Sequence, residues 1–178
     1  MTTENNNIMR KVYLGKVILN IGAGKDQKKL EKSTKLLKNI TGINPVTTKT
    51  TKRIAAWGLR PGLPIGCKIT IRGDNANKLL VNLLESRDNL LNENNFDGFG
   101  NISFGIPEYI DIPGVEYDPE IGVIGLQVCV TLERAGFRVK KRRIKKTKLG
   151  KTHLISKKTA LNFMKEKFKI KMEEEDEL

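Results

Sequence analysis

The chain has 178 residues, a net charge of +13 and 38% hydrophobic content, enough for one sizeable core, and no apolar run long enough to span a membrane. Cys67 and Cys129 are too few and too far apart for a disulfide framework or a zinc site and are expected as buried, reduced thiols in strands. The N-terminal MTTENNNIMRK lacks a signal-peptide core, so a cytosolic location is expected, and 6% aromatic content argues against extended base-stacking platforms.

In chain order, KVILNI at 16–21 alternates as a strand with Val17, Leu19 and Ile21 on one face. Asp26 is placed to cap a helix over 27–41, where Leu30, Leu37 and Ile40 recur at helical spacing and Gly42 ends it. Pro45 to Thr51, rich in threonine, suits an extended edge, and the segments flanking 58–66 read as arms of a hairpin, CKITIR being the clearer one. Asp74 then caps a second helix carrying Leu79, Leu80, Leu83, Leu84, Leu90 and Leu91. Residues 94–100 are turn-forming, 101–106 a short strand, 107–122 a proline-bearing loop, and 125–132 a strand with Leu126, Val128, Val130 and Leu132 on one face. Ser156 opens a last helix with Leu161, Met164 and Phe168. Strands and helices mixed in this way predict an α+β fold, a mainly antiparallel sheet with helices packed on one face and a protruding hairpin loop. Residues 11–170 form one domain, including a basic extension at 137–158, with a flexible N-terminus at 1–10 and an acidic disordered tail at 171–178.

Charge is partitioned along the chain. Residues 32–73 hold nine Lys and Arg and no acid, 74–134 hold eleven acids against three bases, and 138–158 hold eleven bases and no acid. An ordinary solvated surface mixes its signs, so the two acid-free stretches are read as polyanion-binding surfaces, with RNA as the partner. On the first strand Lys16 and Asn20 point away from the apolar face; Lys68, Thr70 and Arg72 do so on the hairpin arm. Amides and hydroxyls flanked by cations suit the sugar hydroxyls and phosphates of A-form RNA, although alternation by itself also describes the wet face of a half-buried sheet.

Sequences that resemble catalytic or nucleotide sites fail in detail. IGAGK at 21–25 has Gln27 where a dinucleotide fingerprint needs its third glycine, and Leu19 where a phosphate loop needs its first; before Gly150-Lys151-Thr152, Lys145 holds that place. Both are read as tight turns able to offer backbone amides to an RNA phosphate. His153 lies in the basic block with no acid nearby in sequence, a setting for a phosphate contact rather than for general-base or metal chemistry. Asp97, Asp111 and Asp118 lack calcium-loop spacing. No catalytic residue, metal or cofactor is assigned.

LNIGAG at 19–24, TGINPVTTK at 41–49, IAAWGLRPGLPIGCKITIRG at 54–73 and FDGFGNISFGI at 96–106 closely resemble, in that order, the large-subunit ribosomal protein L-five family, which binds 5S rRNA. The likeness covers about residues 10–134, and FRVKKRRIKKTKLGKTHLISKK at 137–158 resembles the basic extension of the archaeal and eukaryotic branch. It implies a structural, non-enzymatic protein of the cytoplasmic ribosome, set in the central protuberance on 5S rRNA and large-subunit rRNA beside the L-eighteen family protein. Asn20 and Thr70 would hydrogen-bond RNA from the sheet, and Thr47, Thr48, Lys49, Lys52 and Arg53 would lie along its backbone, with Arg72, Arg138, Lys140, Lys141, Arg142 and Arg143 completing the rRNA-binding set. Bacterial members carry a glutamine where this chain has Ile43, and Asn44 or Thr41 would replace that contact. The loop 57–66, with Trp57, Gly58, Arg60, Pro61, Gly62, Pro64 and Gly66, resembles the family's finger toward peptidyl-site (P-site) tRNA. Arg60 would seek phosphate, and Trp57 would anchor the finger's base or stack. The acidic middle segment would suit the S-thirteen family protein across the subunit bridge. A free RNA-binding regulator is the second reading, and a phosphotransfer enzyme of similar topology the third.

Overall fold

The computed structural model describes residues 7–172. Five antiparallel strands form the main sheet in the order β2-β3-β1-β6-β5: β1 is Val12–Gly22, β2 Val46–Lys49, β3 Pro64–Ile71, β5 Asn101–Ile106 and β6 Leu126–Arg134. Side chains alternate across each strand, and one face gathers Val17, Leu19 and Ile21 from β1, Ile69 and Ile71 from β3, Ile102 and Phe104 from β5, and Val128 and Val130 from β6, all buried. Helix α1 (Gln27–Thr41) buries Leu30, Leu36 and Leu37 in the same core, α2 (Asp74–Glu85) adds Leu80, Leu83 and Leu84, and a late helix, Lys157–Phe168, adds Ala160 and Met164. The fold is the expected α+β arrangement with one sheet face covered.

Local chemistry sets the boundaries of α1. The Asp26 carboxylate accepts from the backbone N–H groups of Lys28 and Lys29, and Gly42 closes the helix at φ 70°, a conformation that costs little without a Cβ. Ser156 caps the last helix through Thr159 N–H. At α2 the expectation needs correction: Gly73 is the N-cap, and Asp74 is the first helical residue, favouring the helix dipole without a capping bond. The second helix also stops at Glu85 rather than running through Leu91. Asp88 and Asn89 turn the chain with positive φ, and β4 (Leu90–Leu91) pairs in parallel with β7 (Lys171–Met172). Leucine repetition had carried the helix past a turn made by two residues that tolerate the left-handed region.

Other differences concern extents. β1 begins at Val12, and a bulge between Leu14 and Lys16 had masked its alternation. Ile8–Arg10 form a 3-10 turn within the range expected to be flexible, and Lys171–Met172 are paired at the start of the range expected to be tail; the acids at 173–177 lie outside the described residues. Cys67 is buried in the core, where desolvation pushes its thiol up, but Cys129 is only half-buried, on the opposite face.

Candidate nucleic-acid interface

The uncovered sheet face is built from cross-strand rows. Lys68 stands opposite Asn20, which stands opposite Gln127, which stands opposite Gly105. The next row runs Thr70, Ile18, Cys129, Ser103, and the one after it pairs Lys16 with Thr131 and Thr131 with Asn101, with Arg72 just beyond the end of β3. Asn20 Nδ2 donates to Gln127 Oε1 at 3.1 Å, a pair that leaves further amide donors and acceptors facing outward. Lys16, Asn20, Lys68, Thr70 and Arg72 thus share one face, as alternation predicts. Gln127, Thr131, Ser103 and Asn101 belong to it as well and were overlooked; the same alternation in β5 and β6 marks them.

The edge strand β2 separates two residues grouped in the sequence reading. Thr48 lies opposite Gly66 on the open face, whereas Thr47 lies opposite Cys67 and faces the helical side, exposed only because the strand is at the edge. Ile43, half exposed at the turn before β2, offers no polar group from its side chain, while its backbone N–H donates to Thr41 Oγ1.

Beyond β2 the connection to β3 forms a finger, residues 50–63. Thr50 N–H donates to Leu63 C=O and Gly62 N–H to Thr50 C=O, both at 2.9 Å, while the Thr50 hydroxyl donates to Arg60 C=O. Further out, Ile54 and Leu59 exchange backbone hydrogen bonds of 3.1 and 3.0 Å around a 3-10 turn, Ala55–Trp57, closed by Gly58 at φ 67°. The finger is therefore a built hairpin extension. Trp57 is 67% exposed at its end and anchors nothing, leaving its ring free to stack. Pro64 already belongs to β3, and Gly66 lies buried within the sheet, where a Cβ would come 2.7 Å from Ile21 C=O; these two carry the finger from its root. Lys49, Lys52, Arg53 and Arg60 are exposed and, among the described residues, have no ion pair. Lys25, unassigned by sequence, brings its alkyl chain beside Gly58 and joins this rim. The backbone amides of Ala23 and Gly24 are not available to an anion, because both donate to Ile65 C=O, at 2.9 and 3.0 Å.

The basic extension is docked rather than free. Its start, Arg138–Lys141, is a single helical turn, α3, so Lys157–Phe168 is α4. Buried Phe137 meets the His153 ring edge-on at 5.7 Å between centroids, and Lys140 lies 5.0 Å from the Phe137 ring centre. His153 Nε2 is 2.8 Å from Ala135 C=O, and Arg134 donates to the carbonyls of His153 and Leu154, so His153 closes the extension onto the sheet instead of awaiting a phosphate. Lys141 pairs with the Glu133 carboxylate, which removes it from the free cations assigned by sequence. Arg142 Nε donates to Lys145 C=O at 2.8 Å, and Arg138, Lys140 and Arg143 remain exposed.

On the helical side, Lys35 of α1 draws in the acidic loop through Asp118 at 2.9 Å and through Glu120. Among the described residues no group of three His, Cys, Asp or Glu could hold a metal, and no helix is long and apolar enough to cross a membrane.

Two family models match in succession: Ribosomal protein L5 over residues 7–60 and the ribosomal L5 family C-terminus over 64–163. The large ribosomal subunit protein uL5 of Nanoarchaeum equitans is 48% identical over 167 residues, covering 92% of this chain and 97% of that protein. That of Sulfolobus acidocaldarius is 44% identical over 167 residues, covering 94% of each. That of Nitrosopumilus maritimus is 44% identical, covering 94% of this chain and 95% of that protein. With both halves matched and close relatives aligned nearly end to end, the chain belongs to the ribosomal protein L5 family, whose members are structural proteins of the large ribosomal subunit and not enzymes.

Proposed function

We propose that this rRNA-binding component of the large subunit grips 5S rRNA with its open sheet face and helps build the central protuberance of the cytoplasmic ribosome. The observation that carries this reading is the alignment of Lys68, Asn20 and Gln127 in one row across three strands, with Lys16, Thr70 and Arg72 beside it. Cations at that spacing attract phosphates, and the amides and the threonine hydroxyl address sugar hydroxyls in the shallow groove of A-form RNA. Lys49, Lys52 and Arg53 continue the cationic rim from β2 into the finger, and Arg138, Lys140, Arg142 and Arg143 extend it beyond β6.

The finger reaches toward P-site tRNA, with Arg60 as the phosphate-seeking charge and Trp57 as a stacking surface. A neighbouring L-eighteen family protein shares the 5S rRNA platform. The acidic loop, on the side of the molecule where Asp118 and Glu120 meet α1, faces the S-thirteen family protein of the small subunit.

Filter binding of 5S rRNA against an unrelated duplex of equal length tests the central claim; selective retention of 5S rRNA is expected, and equal affinity for both would overturn it. Co-sedimentation with large subunits in high salt is expected too, and its loss would favour a free RNA-binding regulator.

A further inference from the structure

At one end of the open face a cleft of about 620 Å³ opens between the end of β1, the end of β5 and the start of β6. Asn20, Gln127 and Arg87 supply its polar groups, and Gly22, Gly105 and Gly125 lie bare along it. Arg87 donates to Gly105 C=O at 3.1 Å, which holds a guanidinium at the outer edge of β5.

Gly125 has an internal reason, since a Cβ there would stand 2.6 Å from Pro107 C=O. So do Gly15 and Gly66 elsewhere in the sheet, where the added atom would meet Glu133 at 2.6 Å and Ile21 C=O at 2.7 Å. Gly22 and Gly105 have none. A Cβ at either would meet nothing within 4 Å, and neither has a positive φ. Both are strand residues, where glycine is unfavourable for want of side-chain packing and because it loses more entropy on folding. A strand glycine with no internal neighbour marks a close approach by another molecule.

We propose that this cleft seats the ribose and phosphate of a single nucleotide, so that the RNA strand crosses the sheet in van der Waals contact with the bare backbone of Gly22 and Gly105. The inference rests on the RNA-binding reading above and adds the place and the chemical group recognised. No acid lines the cleft, and Lys68 stands opposite Asn20 at its border, so the field favours a phosphate. No aromatic side chain lines it, so a stacked base is the wrong occupant. The Asn20–Gln127 pair retains both donors and acceptors, as recognition of a 2′-hydroxyl requires, and Arg87 supplies the charge for the phosphate.

Gly22→Val and Gly105→Val fill the cleft with a residue that strands favour and that strikes nothing in the protein. In the full-length chain each should melt at or above the wild-type temperature. Each should nevertheless bind 5S rRNA transcripts at least tenfold more weakly, with the same dependence on salt, because no charge has changed. Gln127→Leu, at an exposed position, provides a second route and should lower 5S affinity with the same unchanged salt slope. If the valine variants fold and bind 5S rRNA as the wild type does, or if Gln127→Leu has no effect, the cleft assignment is overturned while 5S recognition stands. A wild-type protein unable to distinguish 5S rRNA from an unrelated duplex would overturn the underlying reading instead.

Discussion

Lys141, in the most basic stretch of the chain, donates to the carboxylate of Glu133, the one charged side chain buried among the described residues. Glu133 leans over Gly15, where β1 bulges and where any Cβ would collide with it. The pair fastens α3 to the sheet at the rim of the RNA-facing surface. Lys141→Met strands a carboxylate that is 8% exposed and should destabilise by about 3 kcal/mol, whereas Glu133→Gln frees a half-exposed lysine that water can solvate and should cost about 1–2 kcal/mol. Urea denaturation of both single variants and the double variant should show this order and a double-variant cost below the sum of the two. Glu133→Gln also removes an acid from a cationic surface. Tighter RNA binding by that variant would show that charge, not placement of the extension, is what matters there.

The exposed rim of Lys49, Lys52 and Arg53 has no internal partner to lose. Neutralising each should leave the melting temperature within a degree or so and weaken RNA binding, with the slope of log affinity against log salt falling by about 0.7–0.9 for each phosphate contact removed. An unaltered slope in the triple variant would place those side chains off the RNA.

Most of this architecture can be read from periodicity and end signals. Asp26 and Gly42 bracket α1 at its observed limits, and Ser156 does the same for α4, because capping is local chemistry between neighbours in sequence. Errors arose where a distant partner decides. The leucines at 90 and 91 continue a helical repeat, yet they pair with Lys171 and Met172, eighty-one residues further along the chain. Lys141 reads as one more cation in a run until Glu133 comes beneath it across a turn. The open face was legible from the alternation of β1 and β3, but its full width was not, since only strand order brings Gln127 and Gly105 beside Asn20. Thr47 and Thr48 carry the same chemistry, and register alone assigns them to opposite faces.

The finger separates into a root and an end. Thr50 closes the root through Leu63, Gly62 and Arg60, and the Ile54–Leu59 pair closes the end around Trp57. Replacing residues 54–59 by a short glycine linker should therefore leave the sheet and 5S rRNA binding within about twofold, or about 0.4 kcal/mol, of wild type. Ribosomes carrying the variant should be impaired in steps that depend on P-site tRNA, measured by tRNA retention. Equal loss of 5S binding would mean that the end of the finger contacts 5S rRNA.

Gly66 sits where three strands converge at the root of the finger, with Ile21 C=O and Thr48 Oγ1 at 2.7 and 3.0 Å from where a Cβ would stand. A backbone oxygen cannot rotate away as a side chain can, so Gly66→Ala must push β1 from β3. A loss of about 1–3 kcal/mol in urea denaturation is expected. Gly22→Ala, one position across the ladder in open space, provides the control and should change stability by less than about 1 kcal/mol.

The acidic loop should respond to pH through its hold on α1. Hydrogen bonding from Lys35, then from the Glu120 backbone N–H, holds the Asp118 carboxyl below the usual carboxylate range, and Glu120 and Asp118 together raise the Lys35 ammonium. A depressed carboxylate stabilises fully above its unfolded value of about 3.9, and the contribution fades as pH falls through the lower folded value. A raised lysine contributes fully below its unfolded value of about 10.4 and loses that contribution as pH rises through the higher folded one. The tie is therefore complete between about pH 5 and 9. Tyr109 should outlast it, because its hydroxyl accepts from Asp118 N–H at 3.0 Å irrespective of either charge. Hydrogen exchange over residues 114–121 in wild type and Lys35→Met should differ across that plateau and converge below about pH 3. A difference that persisted undiminished into strong acid would show that Lys35 holds the loop by packing rather than by charge.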